Sequence, residues 1–169
     1  MFLPESINPT GNHRKIASNS TLTIIALDSE LLIITSSSGK LSSFPMKSTI
    51  VEISLHPSKN LLACILLEGV MVVLDLDKME EKERKEEKCS RIIWLQGMMF
   101  ATYYGSKISY WQMVGNGYSL SKTRECGTTL HDFCIPDETV ACVILANGKF
   151  QIRSTETSAN EILYELDVS

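Results

Sequence analysis

Cysteine and histidine are the residues of this 169-residue chain that could bind a metal or act as nucleophiles. Cys126, His131, Cys134 and Cys142 stand close together in the sequence. Structural zinc sites usually place two of their cysteines two to four residues apart, whereas seven residues separate each of these cysteines from the next. The spacing therefore argues against zinc, and we expect neither a metal nor another cofactor.

A catalytic acid–base pair is the second chemistry to consider, because His131 stands directly before Asp132. Both residues fall in a run that predicts a β-strand, and neighbouring residues of a strand point to opposite faces of the sheet. The two side chains therefore cannot readily act as one pair. The sequence also shows no glycine-rich phosphate loop and no other catalytic motif. We predict that the protein is not an enzyme.

The overall charge of the chain argues against a nucleic-acid partner. The 16 Lys and Arg residues are outnumbered by 20 Asp and Glu residues, and the formal net charge is −4. The chain therefore has no general positive field that would attract phosphate groups.

The expected cellular compartment follows from apolar runs and cysteine usage. No segment has the roughly 20 consecutive apolar residues of a membrane-spanning helix, and the N-terminal residues do not resemble a signal peptide. Five cysteines without a Cys-x-x-Cys pair fit a reducing compartment. We predict an intracellular protein, of the cytoplasm or the nucleus.

A repeated pattern organises most of the chain. An apolar run of strand length is followed by a two-residue turn and a second strand, which is typical of a β-hairpin. A further short β-type run precedes each hairpin, so each repeat should contain at least three antiparallel strands. The four turns are Ser38-Gly39, Glu68-Gly69, Gly105-Ser106 and Asn147-Gly148.

Alignment of the repeats on these turns predicts which residues form the core. Two columns of mostly apolar residues then lie two positions apart, so both columns should lie on the same face of the sheet. We expect that face to be buried. The columns are Leu41, Met71, Ile108 and Phe150, followed by Ser43, Val73, Tyr110 and Ile152.

The second repeat resembles a blade of the WD-repeat β-propeller family. It has an apolar strand at 53–55, the turn His56-Pro57-Ser58-Lys59-Asn60, a strand that starts at Leu61, the Gly69 turn and a strand that ends near Asp75. The pattern covers about residues 21–155. The resemblance implies an all-β fold of about four degenerate WD-type blades of antiparallel strands; an unrelated all-β meander or sandwich is the alternative.

We predict a single domain over residues 1–169, either part of a β-propeller or a four-bladed ring. Residues 77–90 are a charged insertion between blades, expected to be a solvated loop or a short exposed helix. The tail at 161–168 alternates like a further strand, which would begin a fifth blade or close the ring with the N-terminal segment. In a partial propeller, a partner would complete the ring or cover its open edge.

A second resemblance is to the amino-terminal propeller of clathrin heavy chains. Ser20-Thr21-Leu22-Thr23, Trp94-Leu95 and Ile108-Ser109-Tyr110-Trp111-Gln112-Met113 occur in a similar order and spacing. That propeller docks short linear peptides of trafficking adaptors between its blades. The resemblance therefore implies a peptide groove beside residues 70–78, which include Leu74.

The predicted function is a non-enzymatic scaffold for protein–protein interactions within a larger assembly, with membrane trafficking as a candidate process. Its partners would be other protein subunits or short linear peptides, without insertion into a membrane. Aromatic residues are enriched at protein interfaces, so Trp94, Tyr103 and Tyr104 are candidate contact residues, together with Leu74. A propeller component of a nucleic-acid or ribonucleoprotein complex is the alternative function.

Overall fold

The computed structural model describes residues 14–137, 139–156 and 161–168. These residues form strands and turns, and none of them belongs to a helix that could cross a membrane. Within this part of the chain the strands are, in order, β1 (Arg14–Ser18), β2 (Leu22–Leu27), β3 (Glu30–Thr35), β4 (Leu41–Pro45), β5 (Ile50–Leu55), β6 (Leu61–Leu66), β7 (Met71–Asp75), β8 (Glu80–Lys85), β9 (Arg91–Trp94), β10 (Met99–Tyr104), β11 (Lys107–Val114), β12 (Gly117–Glu125), β13 (Leu130–Asp137), β14 (Val140–Leu145), β15 (Lys149–Ser154) and β16 (Ile162–Asp167).

The strands form four antiparallel sheets, each made of four strands that are consecutive in the chain. We call these sheets blades one to four, in chain order. The first strands of successive blades lie beside one another: β1 beside β5, β5 beside β9 and β9 beside β13. The blades therefore stack around their first strands. This confirms the predicted all-β fold, a β-propeller or part of one.

The spacing of apolar residues explains which strands are covered on one face and which on both. In β2, the side chains of Leu22, Ile24 and Ala26 are buried and those between them are half-exposed, as in a sheet with one covered face. All six residues of β6 are buried, because blade two has a neighbouring blade on each side. The β6–β7 hairpin turns at Gly69, whose φ of +80° suits glycine.

The core consists of apolar layers between successive blades. The layer between blades two and three is rich in aromatic rings. Trp94, Phe100, Trp111 and Tyr118 of blade three lie with ring centroids between 4.9 Å and 6.1 Å apart. Such ring pairs add stabilisation beyond the burial of their apolar surface. Trp111 thus packs inside the blade, as predicted.

In the first repeat, the alignment on turns selects the wrong hairpin of the blade. Blade one begins with β1, so the hairpin equivalent to β6–β7 is β2–β3, which turns at Asp28 with a positive φ of 38°. Gly39 lies in the next turn, between β3 and β4. Leu41 and Ser43 therefore stand on the outermost strand and are exposed. Their predicted place in the core is wrong, because the glycine at positive φ marks the turn between β3 and β4 and not the two-residue turn between β2 and β3.

The prediction of a loop or helix for the charged segment 77–90 is also wrong over its central part. Glu80–Lys85 is strand β8, which pairs with β7 as the outermost strand of blade two. A bulge at Lys82 places Glu81 and Arg84 on the same side, where two hydrogen bonds of 2.8 Å join their side chains. An edge strand gains from charged side chains because they discourage pairing with other chains, so high charge does not exclude a strand here.

The tail is a strand, as its alternation predicts, but both places proposed for it are wrong. β16 pairs antiparallel with β15 and is the fourth strand of blade four. It therefore neither begins a fifth blade nor pairs with the N-terminal segment. All eight residues from 161 to 168 are exposed.

The burial of two tyrosines predicts that the stability of the fold decreases at alkaline pH. Burial raises the pKa of Tyr110 and of Tyr118 to about 12. In the unfolded chain these phenols ionise near pH ~10, so above that pH the unfolded chain holds fewer protons than the folded chain. The free energy of unfolding should therefore fall as the pH rises from about 10 to about 12. Urea unfolding at a series of pH values measures this loss.

Tyr118→Phe provides the control for this alkaline effect, because it removes one of the two phenols and keeps the ring. The pH-dependent loss of stability should become smaller in this variant. Ultraviolet absorbance of the folded wild-type chain follows the ionisation directly. The prediction fails if every phenol of the folded chain ionises in the range of an unfolded tyrosine.

Candidate functional site

A cleft of about 410 Å³ lies where blades two and three meet, at the β10–β11 turn. One wall comes from that turn and from the end of β12. The opposite wall comes from the link between β8 and β9. The lining residues are Met71, Glu87, Lys88, Cys89, Thr102, Tyr104, Gly105, Ser106, Lys107, Ser109, Trp111 and Glu125.

Tyr104 is the exposed aromatic residue of the cleft. It is the last residue of β10 and pairs with Lys107 across the Gly105-Ser106 turn. Gly105 has a φ of +60°, a conformation that costs a residue with a side chain free energy. This tight turn holds Tyr104 at the tip of the hairpin, where 52% of its surface is exposed. The ring is therefore available to a partner.

The opposite wall is fixed by Cys89 and Gly69. The backbone amide of Cys89 donates a hydrogen bond to the carbonyl of Gly69 at 3.3 Å. The thiol is buried, and burial together with the nearby Glu87 carboxylate raises the pKa of Cys89 to about 12. At neutral pH this thiol is protonated, so it contributes an apolar surface and not a nucleophile.

The floor of the cleft is apolar and rigid. The indole Nε1 of Trp111 donates a hydrogen bond of 3.0 Å to Oγ1 of Thr102, and both side chains are buried. Met71 of blade two is also buried here. The hydrogen bond satisfies the indole inside the blade, so the ring is held in place beside the cleft.

Charges of both signs stand around the opening. Nζ of Lys107 lies 3.6 Å from Oε1 of Glu125, and Oγ of Ser106 donates a hydrogen bond of 2.9 Å to Oε2 of the same carboxylate. Lys88 and Glu87 stand on the other wall. Because acidic and basic groups alternate, the opening has no single strong sign of charge. It suits a partner segment with polar groups of both kinds better than a polyanion.

The structure brings only one of the four predicted contact residues into this cleft, which is Tyr104. Tyr103 is half-buried: its hydroxyl donates a hydrogen bond of 2.9 Å to the carbonyl of His131, and its ring packs edge-on against Phe133. Tyr103 therefore joins blade three to blade four. As sequence reasoning requires, the two adjacent tyrosines point to opposite faces.

Trp94 and Leu74 lie in the interior. Leu74 packs in the layer between blades one and two, and Trp94 packs in the layer between blades two and three. The indole Nε1 of Trp94 donates a hydrogen bond of 2.8 Å to the carbonyl of Ser54. Their prediction as contact residues is wrong for the folded chain, because neither side chain can reach a partner. Apolar character alone does not separate an interface residue from a core residue.

His131 and Asp132 are not brought together by the fold. The Asp132 carboxylate pairs with the Arg91 guanidinium of blade three and accepts a hydrogen bond from the backbone amide of Phe133. His131 is exposed. Among the residues that the structure describes, no three His, Cys, Asp or Glu side chains group in a way that could hold a metal.

Sequence reasoning missed most of the cleft. Ser106 belongs to the predicted turn and Lys107 follows it, and their proximity to Tyr104 is a usable signal. Lys88 and Cys89 carry no such signal, since they belong to the charged segment 77–90, whose sequence predicts a loop or a short helix. Only the stacking of blade two on blade three brings the two groups together.

No protein-family model and no curated protein sequence matches this chain. Solved structures resemble its fold. A chain of "Crystal Structure of Mitotic Checkpoint Complex" matches with a TM-score of 0.72 and 10% sequence identity, over 99% of this chain and 59% of that chain. A chain of "Kuenenia stuttgartiensis Hydrazine Synthase" matches with a TM-score of 0.69 and 10% identity, over 89% of this chain and 47% of that chain. The present chain thus spans about half the length of these two structural neighbours.

Proposed function

We propose that the chain is a non-catalytic interaction scaffold of the WD-like propeller type, which binds an extended segment of a partner protein in the cleft between blades two and three. The observation that carries the proposal is the position of Tyr104, an exposed aromatic ring at the rim of a cleft with a rigid apolar floor. Protein interfaces place aromatic anchors at such points. The scaffold acts inside the cell, as part of a larger assembly.

The chemistry of the walls favours a peptide as the occupant. Ser106 and Ser109 offer hydroxyl groups that can hydrogen-bond to an extended backbone, and the exposed ring of Tyr104 offers an apolar surface to one side chain. Lys88 and Glu87 can meet opposite charges on the same segment. Adaptor peptides of membrane trafficking are a candidate class, on the clathrin resemblance described above.

A displayed library of random linear peptides, selected on the immobilised chain, tests this proposal. We expect enriched peptides with one large apolar or aromatic residue and flanking polar residues. Tyr104→Ala should weaken their binding by about 2 kcal/mol, which is roughly thirtyfold, as for an aromatic interface anchor. Isothermal titration calorimetry with one enriched peptide measures the loss.

Leu120→Ala is the matched control for the binding experiment. Leu120 has an exposed fraction of 49%, nearly that of Tyr104, but does not line the cleft. Its substitution should leave peptide binding unchanged. If no peptide is enriched, or if both variants bind equally well, the cleft is not a peptide site. Steeply salt-dependent binding of a single-stranded oligonucleotide would instead favour the nucleic-acid alternative.

A further inference from the structure

Blade one has one apolar face that no other described residue covers. The alternation along β2 and β3 buries Ile24 and Ile33 against blade two and turns the residues between them to the other side. Ile16 on β1 is opposite Ile25, and 68% of its surface is exposed. We define the blade-one free face by Ile16, Ile25, Leu27, Leu32, Ile34 and Leu41.

Blade four has a second apolar face of this kind. Phe133 and Val143 pack against blade three, so the residues that alternate with Val143 point away from it. The pairing of β14, β15 and β16 aligns these residues in two rows across the sheet. We define the blade-four free face by Cys142, Ile152 and Tyr164 in one row and Ile144, Phe150 and Leu166 in the other.

The equivalent positions of the inner blades are buried by a neighbouring blade. Phe150 and Ile152 align with Met71 and Val73, which pack against blade three, and with Ile108 and Tyr110, which pack against blade four. On the opposite side, Leu32 and Ile34 occupy the positions on β3 that Val72 and Leu74 occupy on β7. Val72 and Leu74 pack against blade one. Both free faces therefore have the apolar pattern of surfaces on which a further blade packs.

We propose that a second copy of this chain covers both free faces, so that two copies close one ring of eight blades. The blade-four free face of each copy packs on the blade-one free face of the other. None of the residues that line the cleft belongs to either face, so this inference goes beyond the peptide-binding function and does not depend on it.

Symmetry favours a second copy over an unrelated partner. The two free faces are of opposite type. The blade-four free face has the pattern that packs on a following blade, and the blade-one free face has the pattern that packs on a preceding blade. A second copy offers both types, and a two-fold axis then creates two identical contacts and leaves no face uncovered. Eight blades lie within the usual range for propellers.

The areas involved are those of a stable dimer. A four-stranded sheet with six-residue strands measures about 19 Å by about 20 Å. The four faces that two copies bring together then amount to about 1,500 Å², which lies within the range for specific protein interfaces, about 1,200–2,000 Å². The residues that define the two faces carry no charge, and Glu30, which is opposite Leu27, places one carboxylate at the edge of the blade-one free face.

Size-exclusion chromatography with multi-angle light scattering on the purified chain tests the proposal. We expect twice the mass of one chain, which is 18.9 kDa. Ile16→Asp and Ile144→Asp should each give a monomer, because each places a charge in the contact. Both side chains are exposed in a single copy, so neither change disturbs the core, and circular dichroism confirms that the variants are folded.

Leu120→Asp and Tyr104→Ala are the controls, and both should keep the mass of two chains. Leu120 is exposed on the outer strand of blade three and belongs to neither free face. Cys134 provides a second readout, since it is exposed and opposite Cys142 on blade four. Its reaction with Ellman's reagent should slow as the protein concentration rises, and should stay fast in Ile144→Asp.

Three results would overturn the proposal. One is a monomer at every concentration, with equally fast reaction of Cys134. Another is an open polymer larger than two chains, and the third is a dimer that survives both aspartate substitutions. Peptide binding in the cleft can be measured separately in each case, so failure of the ring does not imply failure of the proposed function.

Discussion

Phe100→Ala is expected to lower the free energy of unfolding by about 4 kcal/mol. The Phe100 side chain is fully buried at the centre of the layer between blades two and three. Its ring lies 4.9 Å from the ring of Tyr118 and 5.3 Å from that of Trp94, measured between centroids. Alanine removes these ring contacts and leaves a cavity between the two blades. The hydrogen-bonded strands of each blade limit how far the structure can collapse into that cavity. Urea denaturation, followed by tryptophan fluorescence, measures the loss.

Leu120→Ala is the matched control for Phe100→Ala. Leu120 belongs to the same blade, but its side chain is exposed on β12, so its loss should change stability by no more than about 0.5 kcal/mol. If Phe100→Ala costs as little as this control, the aromatic layer does not hold the two blades together. Phe100→Ala should also disturb the cleft, because the Trp111 ring, which lines its floor, stacks on the Phe100 ring with their centroids 6.1 Å apart.

The fold class could be predicted because two local signals agree. The turn glycines Gly69 and Gly148 adopt positive φ values of 80° and 78°, and alternating apolar residues surround them. These signals act within one hairpin and do not depend on other blades. The register of blade one could not be predicted, because Asp28 adopts a positive φ in a turn that no glycine marks.

The outer strands show where local pattern fails. β8 is built from Glu, Lys and Arg, which are poor strand formers. It forms a strand because β7 offers unpaired backbone groups at its edge, and the ladder with β7 satisfies them. Glu83 also accepts a hydrogen bond of 3.1 Å from the backbone amide of Tyr118 in blade three. Tertiary pairing, and not propensity, therefore determines the structure here.

Of the aromatic residues predicted as contacts, only Tyr104 lines the candidate site. Alternation along β10 separates Tyr103 from Tyr104, and the structure leaves Tyr104 exposed. The cleft itself requires Lys88 and Cys89 to meet the β10–β11 turn across a boundary between blades. Such a boundary depends on stacking, for which a single sequence contains no direct signal.

His56→Ala is expected to cost about 3 kcal/mol of folding free energy, because it removes a buried ring together with its three hydrogen bonds to the backbone. Nδ1 of His56 accepts hydrogen bonds of 3.1 Å from the backbone amides of Ser58 and Lys59. Those amides can only donate, so the ring proton is on Nε2, which donates to the carbonyl of Gly97 at 2.6 Å. Alanine would leave all three backbone groups without this partner.

The position of His56 explains why the loss should affect several blades at once. Its ring holds the turn of blade two, bonds to Gly97 of blade three and packs edge-on against Trp94 at 5.0 Å. Its own carbonyl accepts a hydrogen bond of 2.9 Å from Asn19, in the turn that follows β1 of blade one. His131→Ala is the control, because His131 is exposed and its loss should be nearly neutral. Hydrogen exchange should show weaker protection in blades two and three of His56→Ala, and equal stability of the two histidine variants would contradict this role.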